Sequence, residues 1–413
     1  MGYRKIIDYF VAIMFVVTSG AVFYVYVLSP AISYMLLLLI GIFNKVALKV
    51  GNKDRHVRHN TSWMYIIFVC VIALLGDLYY QHSYDDRNLM GYIVILLAAY
   101  IIISTYNFQY FRKLLTNIVF FIVLLGIPIF TLSEYDLLPT TSIVTSHGDS
   151  YTMFLCYTLG WPNLFHRFSG IWHEPGACQI VLNTILWLHF KEMVTWNWEK
   201  KELIKILVIT IGSIITFSTG SYLSLMLLFL SVAINLKLRT KNKVGMRMLF
   251  ALTLGIAVYF IFNSDTVQNK LFREDTEESK MSTVARTADA IALWEMTKER
   301  PLLGYGLGSH AFWTTSTSLG NTANSSGLLT FSASFGMIWL LIFVITAYIR
   351  MRKLGFGKAS VLLLLAVLIM QFNEKYIEYP ITNIFIFSFG TFYIAENKDI
   401  YGKTKIIYRH SDL

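Results

Sequence analysis

The chain has 413 residues and a formal net charge of +10, with 55% hydrophobic, 15% aromatic and 15% charged residues. Globular domains carry roughly 25% charged residues, so charges this sparse cannot coat several soluble domains. The same arithmetic excludes a disordered chain, a nucleic-acid-binding tail and a disulfide scaffold, and leaves one polytopic membrane domain over 1–413.

Apolar runs that can span a bilayer, roughly 17–25 residues each, fall at 6–28, 31–48, 62–80, 91–107, 114–133, 177–190, 205–218, 221–236, 248–263, 326–349, 359–373 and 381–396. About twelve spans put both termini on one side. With that side cytoplasmic, 26 of the 35 Lys and Arg residues lie inside and nine outside, while eight acids lie inside and 17 outside. Basic residues near span ends mark the cytoplasmic side. The positive balance is therefore topogenic, with contact to membrane lipids as a second effect, and it implies no nucleic-acid partner. Residues 1–30 lack a small-residue cleavage pattern and run on into a second span, which reads as a retained first helix. Cys70, Cys156 and Cys178 form no CxxC or zinc pattern. Cys156 and Cys178 share the outer side and can be read as a pair, but free thiols are the default.

Two connections are long, and both lie outside: a first cap loop at 134–176 and a larger one at 264–325. The first carries Arg167-Phe168-Ser169-Gly170-Ile171-Trp172-His173-Glu174-Pro175-Gly176. Pro175 and Gly176 break the chain just before the next helix. In one reading Glu174 favours the helix N-terminus through the dipole, while Arg167 pairs with it or with headgroups. In the other, Arg167 and the His173–Glu174 pair face a lipid-linked phosphate and a sugar hydroxyl together.

Between two spans, Phe217-Ser218-Thr219-Gly220-Ser221 reads as a tight turn or as the wall of a polar cavity. The second cap opens with the acidic stretch Glu274-Asp275-Thr276-Glu277-Glu278. A helical pattern follows, with Ser282 as N-cap and Pro301 as its stop, amphipathic enough to lie on the bilayer. Arg286 and Asp289 share one face of it, and a plain ion pair is the simplest reading. After it comes Pro301-Leu302-Leu303-Gly304-Tyr305-Gly306-Leu307-Gly308-Ser309-His310. Its alternating glycines let backbone amides approach a phosphate, but no strand precedes them and no Lys-Ser/Thr follows, so no nucleotide fingerprint is present.

These motifs resemble the O-antigen ligase and polymerase superfamily, most closely a Wzy-type O-antigen or capsular repeat-unit polymerase. The resemblance rests on Arg167 to Gly170, His173 to Gly176, Arg286, Arg300 to Gly308, and Gly327 through Gly336 entering a helix. It runs over roughly 60–390. Two departures stand out. Ligases of the family carry a His-Asn pair where this chain reads Asn321-Thr322-Ala323-Asn324-Ser325, and many members have an Arg where this chain has Tyr222. The first argues against a ligase.

The resemblance implies a GT-C-like, all-α enzyme of the bacterial cytoplasmic (inner) membrane with its site facing outward. It implies a metal-independent glycosyltransferase with no cofactor, using undecaprenyl-diphosphate-linked oligosaccharides as donor and acceptor, with a chain-length regulator protein as a further partner. The leaving diphosphate calls for fixed cations, and a guanidinium binds phosphate through two parallel bonds. Arg167 and Arg286, with Tyr305, are the expected diphosphate contacts. Glu174 is the first candidate for general base, with His173 or His310 as alternatives. Asp85 and Asp86 are adjacent in a short loop, which is not a paired-carboxylate metal site. The competing readings are an O-antigen ligase or other glycan transferase, and a lipid-linked oligosaccharide flippase.

Overall fold

A computed structural model of the chain describes residues 2–51, 62–80, 86–144, 150–160, 167–196, 198–236, 255, 277–321, 325–374 and 379–388. Its long apolar runs close their backbone hydrogen bonds within themselves as helices, as a bilayer demands. They are α1 (Gly2–Val17), α2 (Pro30–Gly51), α3 (Trp63–Tyr80), α4 (Asp86–Thr105), α5 (Phe108–Ser133), α6 (Pro175–Leu188), α7 (Phe190–Thr195), α8 (Lys200–Ile215) and α9 (Thr219–Asn235). After them come α10 (Glu277–Glu299), α11 (His310–Ser318), α12 (Gly327–Met351) and α13 (Ser360–Asn373). Among the described residues, five helical stretches are long and apolar enough to cross a membrane: Pro30–Ala47, Trp63–Tyr80, Asn88–Thr105, Phe108–Ser133 and Gly327–Phe372. Pro175–Leu188 and Thr219–Asn235 are shorter apolar helices. Of the expected spans, 248–263 lies outside the described residues apart from Gly255, and 381–396 is described only to 388.

The expected first span, 6–28, is broken. α1 stops at Val17, the Thr18 and Ser19 hydroxyls donate back to Met14 O (2.7 Å) and Phe15 O (2.9 Å), and Gly20 takes φ +99°. A π-helical turn, Val22–Val27, follows. The break leaves the Gly20 carbonyl free of the helix ladder, and the site described below uses it.

The first cap departs from helix. β1 (Thr141–Val144), β2 (Ser150–Phe154) and β3 (Tyr157–Gly160) form an antiparallel sheet in that order. Along β2 burial alternates, with Tyr151 and Met153 turned inward against Val22. That period of two is the mark of a half-buried strand. Leu155 (φ +55°) and Cys156 make the exposed turn between β2 and β3. No disulfide forms: Cys156 is exposed and Cys178 buried, both as free thiols.

In the second cap α10 begins at Glu277, ahead of the expected cap at Ser282, and Pro301 follows its end as expected. Among its described side chains, Asp289, Ala292, Leu293, Met296 and Thr297 are buried. Leu293 and Met296 form a small core with Tyr305, Phe312 and Ala333. Asp289 accepts the Ser325 amide at 3.1 Å, so this carboxylate ties α10 to the residues just before α12.

The glycine run clasps a kink. α12 breaks at Gly336 (φ +80°, ψ 174°), which frees backbone groups in mid-helix. The loop supplies their partners: Tyr305 N donates to Ala333 O and Gly306 N to Ser334 O (both 2.8 Å), while Met337 N donates to Pro301 O (2.6 Å). Amides 305 and 306 are thereby committed to protein carbonyls and not to a phosphate.

Candidate active site

The site is built where four separate chain segments meet at the head of α6. Arg167 comes from the end of the first cap. Its Nε donates to Thr216 O (3.2 Å) and its Nη2 to Phe217 O (2.9 Å), which anchors the guanidinium on the last carbonyls of α8. A cation at that end also suits the helix dipole. Burial lowers the Arg167 pKa; Glu374 and Glu174 oppose the shift, and Arg286 adds to it. Arginine remains charged regardless. Glu374, Glu174 and Arg286 are thus charges that act on it.

His173 and Glu174 follow directly. The Gly20 carbonyl accepts from both His173 N (3.2 Å) and His173 Nδ1 (3.0 Å). A carbonyl can only accept, so Nδ1 carries a proton and Nε2 points to Glu174, 3.6 Å from its Oε1. Glu174 is the N-cap residue of α6 in extended conformation, but its side chain makes no capping bond. The carboxylate is left beside His173, part exposed (29%), rather than spent on the helix.

Glu374 completes the group, and sequence reasoning missed it. It follows α13 in extended conformation, and its carbonyl accepts the Gly327 amide at 3.1 Å, which joins the end of α13 to the start of α12. Its buried carboxylate lies against Gly176, in the first turn of α6, where a Cβ would meet it and force it to move. Arg286 Nη2 lies 4.0 Å from Glu374 Oε1. Arg286 therefore reaches across to Glu374, while Asp289 turns to the Ser325 amide. In the sequence Glu374 is one acid beside Lys375 at the end of an apolar run, indistinguishable from a flanking charge.

Arg167, His173, Glu174 and Arg286 are thus brought together, and two other expected residues are not. Tyr305 is packed with Leu293, Met296, Phe312 and Ala333, and the Arg300 guanidinium lies between its ring (4.2 Å) and that of Tyr80 (4.4 Å). Burial, with the nearby Glu299 carboxylate, pushes the Tyr305 hydroxyl up to about 12. His310 is the exposed first residue of α11. Ser221 is buried in a polar seam: it donates to Ser213 O (3.0 Å) and accepts from Asn183 Nδ2 (3.2 Å), which also donates to Gln179 Oε1 (3.1 Å). Among the described residues no group of three or more His, Cys, Asp or Glu side chains is placed to hold a metal ion.

Residues 204–327 match the family model described as O-antigen ligase. The match supports the O-antigen ligase and polymerase superfamily. The part matched to this superfamily runs from α8 through the second cap and includes Arg286, Tyr305 and His310. Arg167, His173, Glu174 and Glu374 lie outside it and join it only in the fold. No curated protein is significantly similar to the chain.

The contact of Glu374 with Gly176 gives a direct test. Gly176→Ala should overpack the buried junction of α6 and α13, at a cost of about 1–3 kcal/mol, read as a lowered melting temperature of the purified protein. An unchanged melting curve would mean that this junction is loose.

Proposed function

We propose that this protein is a polysaccharide polymerase of the cytoplasmic membrane. It transfers a growing glycan from undecaprenyl diphosphate to the non-reducing-end sugar of a lipid-linked repeat unit at the outer face. The observation that carries the reading is the convergence of Arg167 and Arg286 with Glu174 at the head of α6, in a chain whose adjoining segment matches the O-antigen ligase family.

The chemistry follows from those groups. A base takes the proton of the acceptor hydroxyl. The oxygen attacks the anomeric carbon of the donor, and the bond from that carbon to the diphosphate oxygen breaks. The bonding electrons leave with the polyprenyl diphosphate, where negative charge builds up. Arg167 and Arg286 stabilise that charge, and Glu174, backed by His173, is the base. Asn321 to Ser325 hold no His, which favours the polymerase over a ligase. A chain-length regulator protein is the partner this reading invites.

Purified protein in vesicles, given lipid-linked repeat units and no nucleotide sugar, should produce a ladder of longer lipid-linked glycans. Transfer to a lipid-core acceptor without a ladder would make it a ligase. Movement across the bilayer without elongation would make it a flippase and end the reading.

A further inference from the structure

Arg167 and Arg286 carry like charge, come from different caps, and act on each other: Arg286 lowers the Arg167 pKa. Two cations in one partly buried site repel unless something offsets them. Arg167 is held by two backbone carbonyls. Arg286 lies on one face of α10 with 44% of its side chain exposed and can swing into solvent. One carboxylate acts on both, that of Glu374, 91% buried by the same measure. It opposes the burial shift of Arg167 most strongly, and it lies 4.0 Å from Arg286. It rests on the first turn of α6, where the helix dipole favours a negative charge, and Gly176 is the residue that lets it come so close.

We propose that Glu374 is a positioning residue: it holds Arg286 in register with Arg167 so that both guanidiniums meet one diphosphate. This rests on the function proposed above. Glu374 is buried and faces Arg286, whereas Glu174 is part exposed beside His173. The part of Glu374 is therefore to hold the cations and not to take the proton of the acceptor, which falls to Glu174. Its backbone bond to Gly327 does not depend on the side-chain charge, so Glu374→Gln keeps that link and nearly the same shape.

The test combines two measurements on the full-length protein in vesicles. In the first, elongation kinetics are measured for wild type, Glu374→Gln, Glu374→Asp, Arg286→Ala and the double variant Glu374→Gln/Arg286→Ala. Expected are a rise in KM for the lipid-linked donor of about tenfold or more in Glu374→Gln, partial rescue by Asp, and little further loss in the double variant, because coupled residues are not additive. In the second, the rate at which phenylglyoxal modifies Arg286 is followed by peptide mass spectrometry, with no substrate present. It should rise several-fold in Glu374→Gln. An unchanged Arg286 rate together with wild-type KM overturns the proposal while leaving the function intact. Losses that multiply in the double variant, with a lowered melting temperature, assign Glu374 a purely structural role and also overturn it. A wild-type protein that fails to elongate sinks the polymerase reading instead, and the phenylglyoxal result still decides whether Glu374 holds Arg286.

Discussion

Arg167→Ala and Arg286→Ala should each lower glycan elongation by about 100-fold or more, since a preorganised contact to developing charge supplies a few kcal/mol of transition-state stabilisation. The two differ in what else they disturb. Arg286 is 44% exposed and lies 4.0 Å from Glu374 Oε1; a pair this long, with one partner open to water, is worth at most about 1 kcal/mol. Its removal should leave membrane levels near wild type. Arg167 also binds the carbonyls of Thr216 and Phe217, so its removal orphans two acceptors at the end of α8 and should lower the melting temperature as well. Lys at either place restores the charge without the planar fork and should recover part of the rate. The measurements are a lipid-linked glycan ladder normalised to folded protein, and a melting curve. Near-normal elongation in Arg286→Ala removes it from the site. The same result for Arg167→Ala removes the carrier-binding model.

The largest effect on folding is expected at the clasp of the second cap. Gly304 has φ +66° and Gly336 φ +80°. A Cβ at Gly304 meets the backbone of Ser334 and Phe335, and one at Gly336 meets that of Leu302 and Leu303. Backbone cannot turn aside as a side chain can. Strain at a positive φ alone costs on the order of 1–3 kcal/mol, and the clash adds to it, so Gly304→Ala and Gly336→Ala should each cost about 3 kcal/mol or more. Gly320 separates the two causes: it has φ +85° with open space around it, so Gly320→Ala carries the strain without the clash. Monodisperse yield in size-exclusion chromatography should fall steeply for the first two and slightly for the third. Equal yields for all three would mean that the loop and the kink are not packed backbone to backbone.

Much of the helical body was legible in the sequence, because a long apolar run leaves a chain few choices in a bilayer. α2, α3, α4, α9 and α12 lie close to the runs that predict them. Breaks were harder to see. Thr18-Ser19-Gly20 looks like part of a span, since small hydroxyl residues are tolerated in apolar helices, and the end of α1 is stabilised by contacts with His173 that no local pattern encodes. The sheet was hidden by expectation: Ser150 to Phe154 alternate as a strand does, but the run is short and lies among spans. The alternating glycines suggest a ligand, whereas Gly304 and Gly306 meet the kinked stretch of α12 and Gly308 meets Asn88.

For the site, residue chemistry pointed to Arg167, His173, Glu174 and Arg286, which the fold brings together. Tyr305 and His310, the expected diphosphate contact and alternative base, lie in a small core and at an exposed helix start. Glu374 was invisible because its meaning depends on Gly176 and Arg286, both far away in the chain.

The turn between β2 and β3 places Cys156 in the open, whereas Cys70 is half-covered and Cys178 sealed in the core. The unmodified protein therefore carries its own reporter of sidedness. A maleimide dye that cannot cross lipid, applied to protein in sealed vesicles of known orientation, reads the side of the sheet-bearing cap at a native thiol, with no residue replaced and the proposed site untouched.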